Sequence, residues 1–137
     1  MINYLFAFIT SAAIAISFRG PLRAAPAAGL AGMIGYAGYQ VSTQWFGAPQ
    51  MLGAFLGALL VGTTGEIMAR RLREPTILFI VPGLFPLVPG LMAYNGMLLL
   101  AREELLEAGK MLTRTIFYAG ALAAGLALPP ALFRRFL

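Results

Sequence analysis

Long apolar stretches alternate with short polar punctuation along the whole chain. Five such stretches stand out, at about 2–18, 26–46, 51–69, 75–101 and 111–132. A helix needs roughly 20 apolar residues to cross a bilayer core of about 30 Å. The pattern therefore predicts an all-α membrane protein with about five transmembrane helices, forming a single transmembrane domain over 1–137. The interruptions are short. The first carries Arg19 and Arg23, and the second, Gly47-Ala48-Pro49-Gln50, carries no charge. The third holds Arg70, Arg71 and Arg73. The fourth holds Arg102, Lys110 and Arg114 beside Glu103, Glu104 and Glu107, and the tail holds Arg134 and Arg135. Within the fourth, Arg102, Glu103, Glu107 and Lys110 predict an amphipathic helical extension. The first apolar stretch has no Lys or Arg before it, as a cleaved leader normally would, so it is expected to remain as a span.

Composition agrees with this pattern. Hydrophobic residues make up 60% of the chain and charged residues 11%, against about 25% charged in soluble domains. A small soluble fold could not bury so much apolar surface, so the excess must face the lipid bilayer. The net charge of +5 does not point to nucleic acid, because the basic residues fall between apolar runs. With five spans, the first loop, the third loop and the tail share one side, which holds most of the basic residues. Positive charge favours the cytoplasm. The expected placement is the inner (plasma) membrane, N-terminus outside and C-terminus cytoplasmic. Cysteine, histidine and aspartate are absent. That leaves no disulfide framework, no thiolate or imidazole metal site and no His- or Cys-based nucleophile, and no cofactor is called for.

Two stretches are rich in small residues. The second holds Gly29, Gly32, Gly35 and Gly38, and the third holds Gly53 and Gly57. Small residues let helix backbones approach closely in lipid. They fit tight packing inside the bundle, and they also fit the face of a homo-oligomer. The fourth stretch differs from the rest, with Pro82-Gly83, Pro86 and Pro89-Gly90 inside one apolar run. Each interior proline removes a donor and costs about 3 kcal/mol in a helix. Two half-helices joined by an unwound stretch are expected. Unwound backbone at membrane depth is tolerated where it is buried in protein or lines a wet cavity, and transporters bind solutes at such breaks. The expected substrate-binding residues are Pro86, Pro89, Gly90, Tyr94 and Asn95, near mid-membrane, with a small-molecule carboxylate as ligand. A kinked helix whose freed carbonyls bond to neighbours is the structural alternative. Glu66 is the only acid inside an apolar stretch. It is a candidate for proton coupling and, four residues before Arg70, equally a candidate for a plain helical ion pair. Tyr36, Tyr39, Gln40, Ser42, Thr43 and Gln44, with Thr63 and Thr64, line a path or bond across helices. Trp45 suits an interfacial anchor.

From Arg19 to about Leu100 the chain resembles the small, ThrE-type subunit of the threonine/serine exporter family. The resemblance rests on Val61-Gly62-Thr63-Thr64-Gly65, Arg70-Arg71 and Pro75, then Pro86-Leu87-Val88-Pro89-Gly90 through Tyr94. It implies a secondary exporter of small amino acids (threonine, serine) or dicarboxylates (succinate). It also implies a larger membrane subunit as partner, since only the small half is matched. An odd number of spans is a further hint that something completes the structure. A homo-oligomeric small multidrug-type transporter and a non-transporting structural subunit are the competing readings. The first expects about four spans and a deep acid in the first helix, and the second leaves the proline cluster unexplained. An enzyme is the least favoured class, for want of a metal-ligand cluster or a nucleophile–base set.

Overall fold

The computed structural model describes residues 1–136, and all its regular elements are helical. Helix α1 spans Ile2–Ser17. Helix α2, Ala25–Gln40, runs on through one wide π-type turn, Val41–Trp45. Helix α3 spans Gln50–Leu72, and α4 spans Ile77–Leu84 and tightens into a 3-10 turn over Phe85–Leu87. Helix α5 covers Gly90–Ala101 and α6 covers Leu105–Phe136. Among the described residues, α3 and α6 are each long and apolar enough to cross a membrane. The pair 77–87 and 90–101, bent by 52°, can supply one more span, and α1 is apolar but shorter.

The helices stop where the backbone turns left-handed. Arg19, Gly47, Arg73 and Glu103 have φ of 55°, 62°, 56° and 60°, and each sits just after a helix. Such a residue breaks the hydrogen-bond ladder and lets following N–H groups turn back onto the last carbonyls. After α3, for example, the Glu74 N–H donates to the Ala69 carbonyl. Glu103 corrects one expectation. The Arg102–Lys110 stretch is not one helical extension: Arg102–Glu104 form the turn between α5 and α6. Only the later part is helical, with Lys110 reaching Glu107 at 3.3 Å.

Helix α3 is the hub, packing on α2, α4 and α6. Its small residues serve different neighbours. Gly57 lies against the Gly35 carbonyl of α2, Gly62 against Pro129 of α6, and Gly65 against Ile80 of α4. The α2 glycines also divide. Gly29 and Gly32 face Phe8 and Ser11 of α1, whereas Gly35 and Gly38 face Val61 and Leu60 of α3. A spacing of three falls short of a helical turn, so each step rotates the row by about 60°. The stripe therefore winds from one neighbour to the other. Gly53 meets Thr43 and Tyr39 across the α2–α3 corner. None of these eight faces open space.

Two core clusters result. One holds Ala24, Ala25, Ala28, Ala69 and Phe79, and the other Ala54, Ala58, Val61, Leu87, Tyr118 and Leu122. The buried residues are mostly small, and large apolar side chains such as Leu5, Ile9, Ile77, Leu91 and Ile116 point outward. A soluble protein arranges this the other way round; close helices inside and large apolar groups outside suit lipid. At one end, Arg23 bonds Glu74 at 3.1 Å, linking the first and third loops. There too Arg70 lies 4.9 Å from the Phe133 ring, which brings the tail to the same end.

Candidate functional site

The proline cluster breaks the fourth stretch as its residues require. Pro82 is tolerated inside α4, but Pro86 sits at the centre of a single 3-10 turn. Val88 is extended, at φ −63° and ψ 130°, which is the conformation a residue before proline prefers. Helix α5 starts afresh after Pro89. One side chain pins the break. Leu87 is 2% exposed and inserts where α2 and α3 cross, beside Gly35 and Gly57. The glycines thus serve two close approaches at once, helix to helix and Leu87 to both. This point lies about two turns from the Gln50 end of α3 and about one turn from its midpoint.

A cavity of about 390 Å³ opens on the break. Pro86 to Pro89, Leu91 and Met92 form one wall; Tyr39 comes from α2, Gln50 from α3, and Met111, Arg114 and Tyr118 from α6. A second hollow shares Gln50, Met92, Arg114 and Tyr118 and extends to Pro49 and Met51. Met111, Arg114 and Tyr118 are spaced by three and four, so they form one face of α6. Tyr118 is buried and meets Tyr39 edge to face, with ring centroids 6.4 Å apart.

The break leaves backbone groups open in this wall. The Gly90 N–H donates to the Val88 carbonyl at 2.9 Å, and the Ala93 N–H reaches Pro89. The N–H groups of Leu91 and Met92 find no backbone acceptor, and neither α3 nor α5 has a side-chain cap. Two uncapped helix starts therefore border the same space, each with the partial positive charge of a helix N-terminus.

Of the expected substrate residues, the structure brings Pro86 and Pro89 to the cavity wall. Gly90 has open space where a side chain would stand. Tyr94 is 62% exposed and Asn95 half-buried, one turn into α5, and neither lines the cavity. The reading that all basic residues lie at the chain's polar interruptions needs correction at Arg114. It sits inside α6 and lines the cavity. The 111–132 stretch already contains Arg114, but its closeness to Lys110 makes it count with the polar interruption. Its helical register with Tyr118 was the available signal.

Glu66 lies on α3 away from this cavity. Its carboxylate is 3.9 Å from the Arg70 guanidinium, with the side chain 14% exposed. The polar row of α2 divides as the glycines do. Tyr39 faces the break, while Tyr36 meets Tyr4 of α1 and accepts a bond from Gln40 at 2.8 Å. Ser42, Thr43 and Thr63 donate to carbonyls of their own helices, Gly38, Tyr39 and Leu59. Such back-bonding bends helices, and in α2 it accompanies the π turn.

A helical bundle with large apolar groups outward and a broken helix lining a cavity fits the class of membrane transporters. The comparisons agree and are more specific. Residues 3–132 match the family described as Threonine/Serine exporter, ThrE. The chain belongs to the threonine/serine exporter family. It is similar to a threonine/serine exporter of Corynebacterium glutamicum, with 30% identity over 127 residues. That alignment covers 93% of this chain and 26% of the relative, so the chain spans about a quarter of the relative's length. No solved structure matches it.

Proposed function

We propose that this chain is the small subunit of a two-component secondary exporter that moves a small amino acid, threonine or serine, out through the cavity at the break. The observation that carries this reading is the broken helix between α4 and α5. It opens onto a cavity with uncapped helix starts, in a chain that belongs to an exporter family. Exposed N–H groups at a half-helix start favour the carboxylate of a solute. The relative is about four times as long as the stretch it shares with this chain, and this reading assigns the remaining part to a second component. A larger membrane subunit of the same family supplies it and covers the outward side of α5. The chain spans the inner membrane five times, with α4 and α5 as one broken span. The end carrying Arg23, Arg70 and Arg73 faces the cytoplasm. Glu66 belongs to the charge network of that end and does not carry the coupling proton.

Export from cells that lack their own exporters tests the proposal. Labelled L-threonine, L-serine and succinate are followed with this chain alone, with its copurifying membrane subunit, and with neither. Loss of threonine and serine, only when both proteins are present, is the expected result. Export of succinate alone would move the substrate to the dicarboxylates. Full export by this chain alone would remove the second component.

A further inference from the structure

We infer that Arg114 anchors the carboxylate of the carried solute; the inference rests on the exporter reading above and assigns its cavity a specificity-determining residue. Arg114 is the one charged side chain lining either hollow at the break. Among the described residues it makes no ion pair: the bridges present join Arg23 to Glu74, Arg70 to Glu66 and Lys110 to Glu107. A neighbouring hollow places Glu107 near it, but that acid is occupied by Lys110 at 3.3 Å. An unpaired guanidinium beside an apolar, aromatic wall and two uncapped helix starts makes this the electropositive part of the cavity. It has no acid of its own to neutralise it.

Guanidinium and carboxylate match as planar, two-pronged partners. Arg114 stands one helical turn from buried Tyr118 and across the hollow from the Pro86–Pro89 wall. A solute held by its carboxylate at Arg114 would place its remaining groups along the freed backbone and the two tyrosines. One cation and no acid suit a solute with a single carboxylate. Lipid phosphate is the other anion that an arginine near a helix end can meet, and the test separates the two.

The assay uses the chain with its copurifying membrane subunit in proteoliposomes, with Arg114→Gln and Arg114→Lys compared at matched abundance. Arg114→Gln should raise the KM for L-threonine by about ten- to a hundredfold, as expected for loss of a charged hydrogen-bonding partner. Arg114→Lys should recover part of that loss. A second readout needs no variant. Phenylglyoxal modifies guanidinium groups, and peptide mass spectrometry reads Arg114 alone. L-threonine should slow its modification, and L-threoninol, which lacks the carboxylate, should not. Arg23, at the opposite end, serves as the internal control. An unchanged KM in Arg114→Gln, or equal protection by threonine and threoninol, would overturn the inference. So would a defect of Arg114→Gln that appears only in phosphatidylglycerol vesicles and not in phosphatidylcholine, since the partner would then be lipid. Should the wild type carry neither threonine nor serine, the amino-acid reading fails by itself. Protection of Arg114 by succinate but not succinamide would then still support the carboxylate anchor, and its absence would overturn it.

Discussion

Gly57 is the position at which the packing logic can be tested most sharply. A Cβ placed there would stand 2.9 Å from the Gly35 carbonyl oxygen and 3.1 and 3.3 Å from the two methyls of Leu87. Contacts in a packed interior begin near 3.4 Å, and the carbonyl belongs to a rigid helix that cannot yield alone. Gly57→Ala must therefore separate α2 from α3 by at least about 0.5 Å or push Leu87 outward, and overpacking of this kind costs about 1–3 kcal/mol. Helix propensity works the other way, since alanine gains about 1 kcal/mol over glycine in a helix. The net expectation is a loss of up to about 2 kcal/mol. Gly120 of α6 is the matched control: it too is inside a helix, but nothing lies within 4 Å of its Cβ position. Gly120→Ala keeps the propensity gain without the clash. Melting of the purified protein in mild detergent should thus move in opposite directions, down by several degrees for Gly57→Ala and level or up for Gly120→Ala. If Gly57→Ala melts at or above wild type, the close crossing of α2 and α3 is wrong. The account of Leu87 as the pin of the break then falls with it.

Other consequences can be checked in the same system. Pro89→Ala restores a donor at the break and should cut export at least about tenfold at unchanged membrane abundance; normal export would make the break a structural kink. Tyr118→Phe should weaken transport by about two- to tenfold, the scale of one hydrogen bond, while Tyr94→Phe should leave it near wild type, and the reverse order would return the site to α5. Glu66→Gln should keep export and its dependence on the proton gradient, because the pair with Arg70 is long at 3.9 Å and such pairs are worth little; loss of coupling would make Glu66 the proton carrier. The chain has no native cysteine, so Ala48→Cys and Arg73→Cys can be labelled without background, and an impermeant maleimide should reach only Ala48→Cys from outside intact cells.

Much of this molecule is legible in its residues taken in order. Apolar run lengths call for membrane helices, because backbone groups in lipid must be satisfied within the segment. The same holds for the break. Pro82 is carried inside α4, but Pro86 and Pro89, close together, end the helical ladder, so the division into α4 and α5 follows from local stereochemistry. The basic loops gather at one end for an equally simple reason: in a bundle of spans, alternate connections share a side.

What sequence could not settle depended on rotation about helix axes and on neighbours distant along the chain. The α2 glycines look like one stripe, yet a spacing of three winds about 60° per step. Only the positions of α1 and α3 decide that Gly29 and Gly32 meet the first and Gly35 and Gly38 the second. Tyr94 and Asn95 follow the break in sequence, but the 52° bend and the start of α5 turn them away from the cavity. Arg114 and Tyr118 lie more than twenty residues past the proline cluster, and the α5–α6 turn at Glu103 carries them back to it. Local chemistry determined where the chain breaks. The folding-back of α6 determined which side chains face that break, because contacts between distant segments are set by packing that no local pattern encodes.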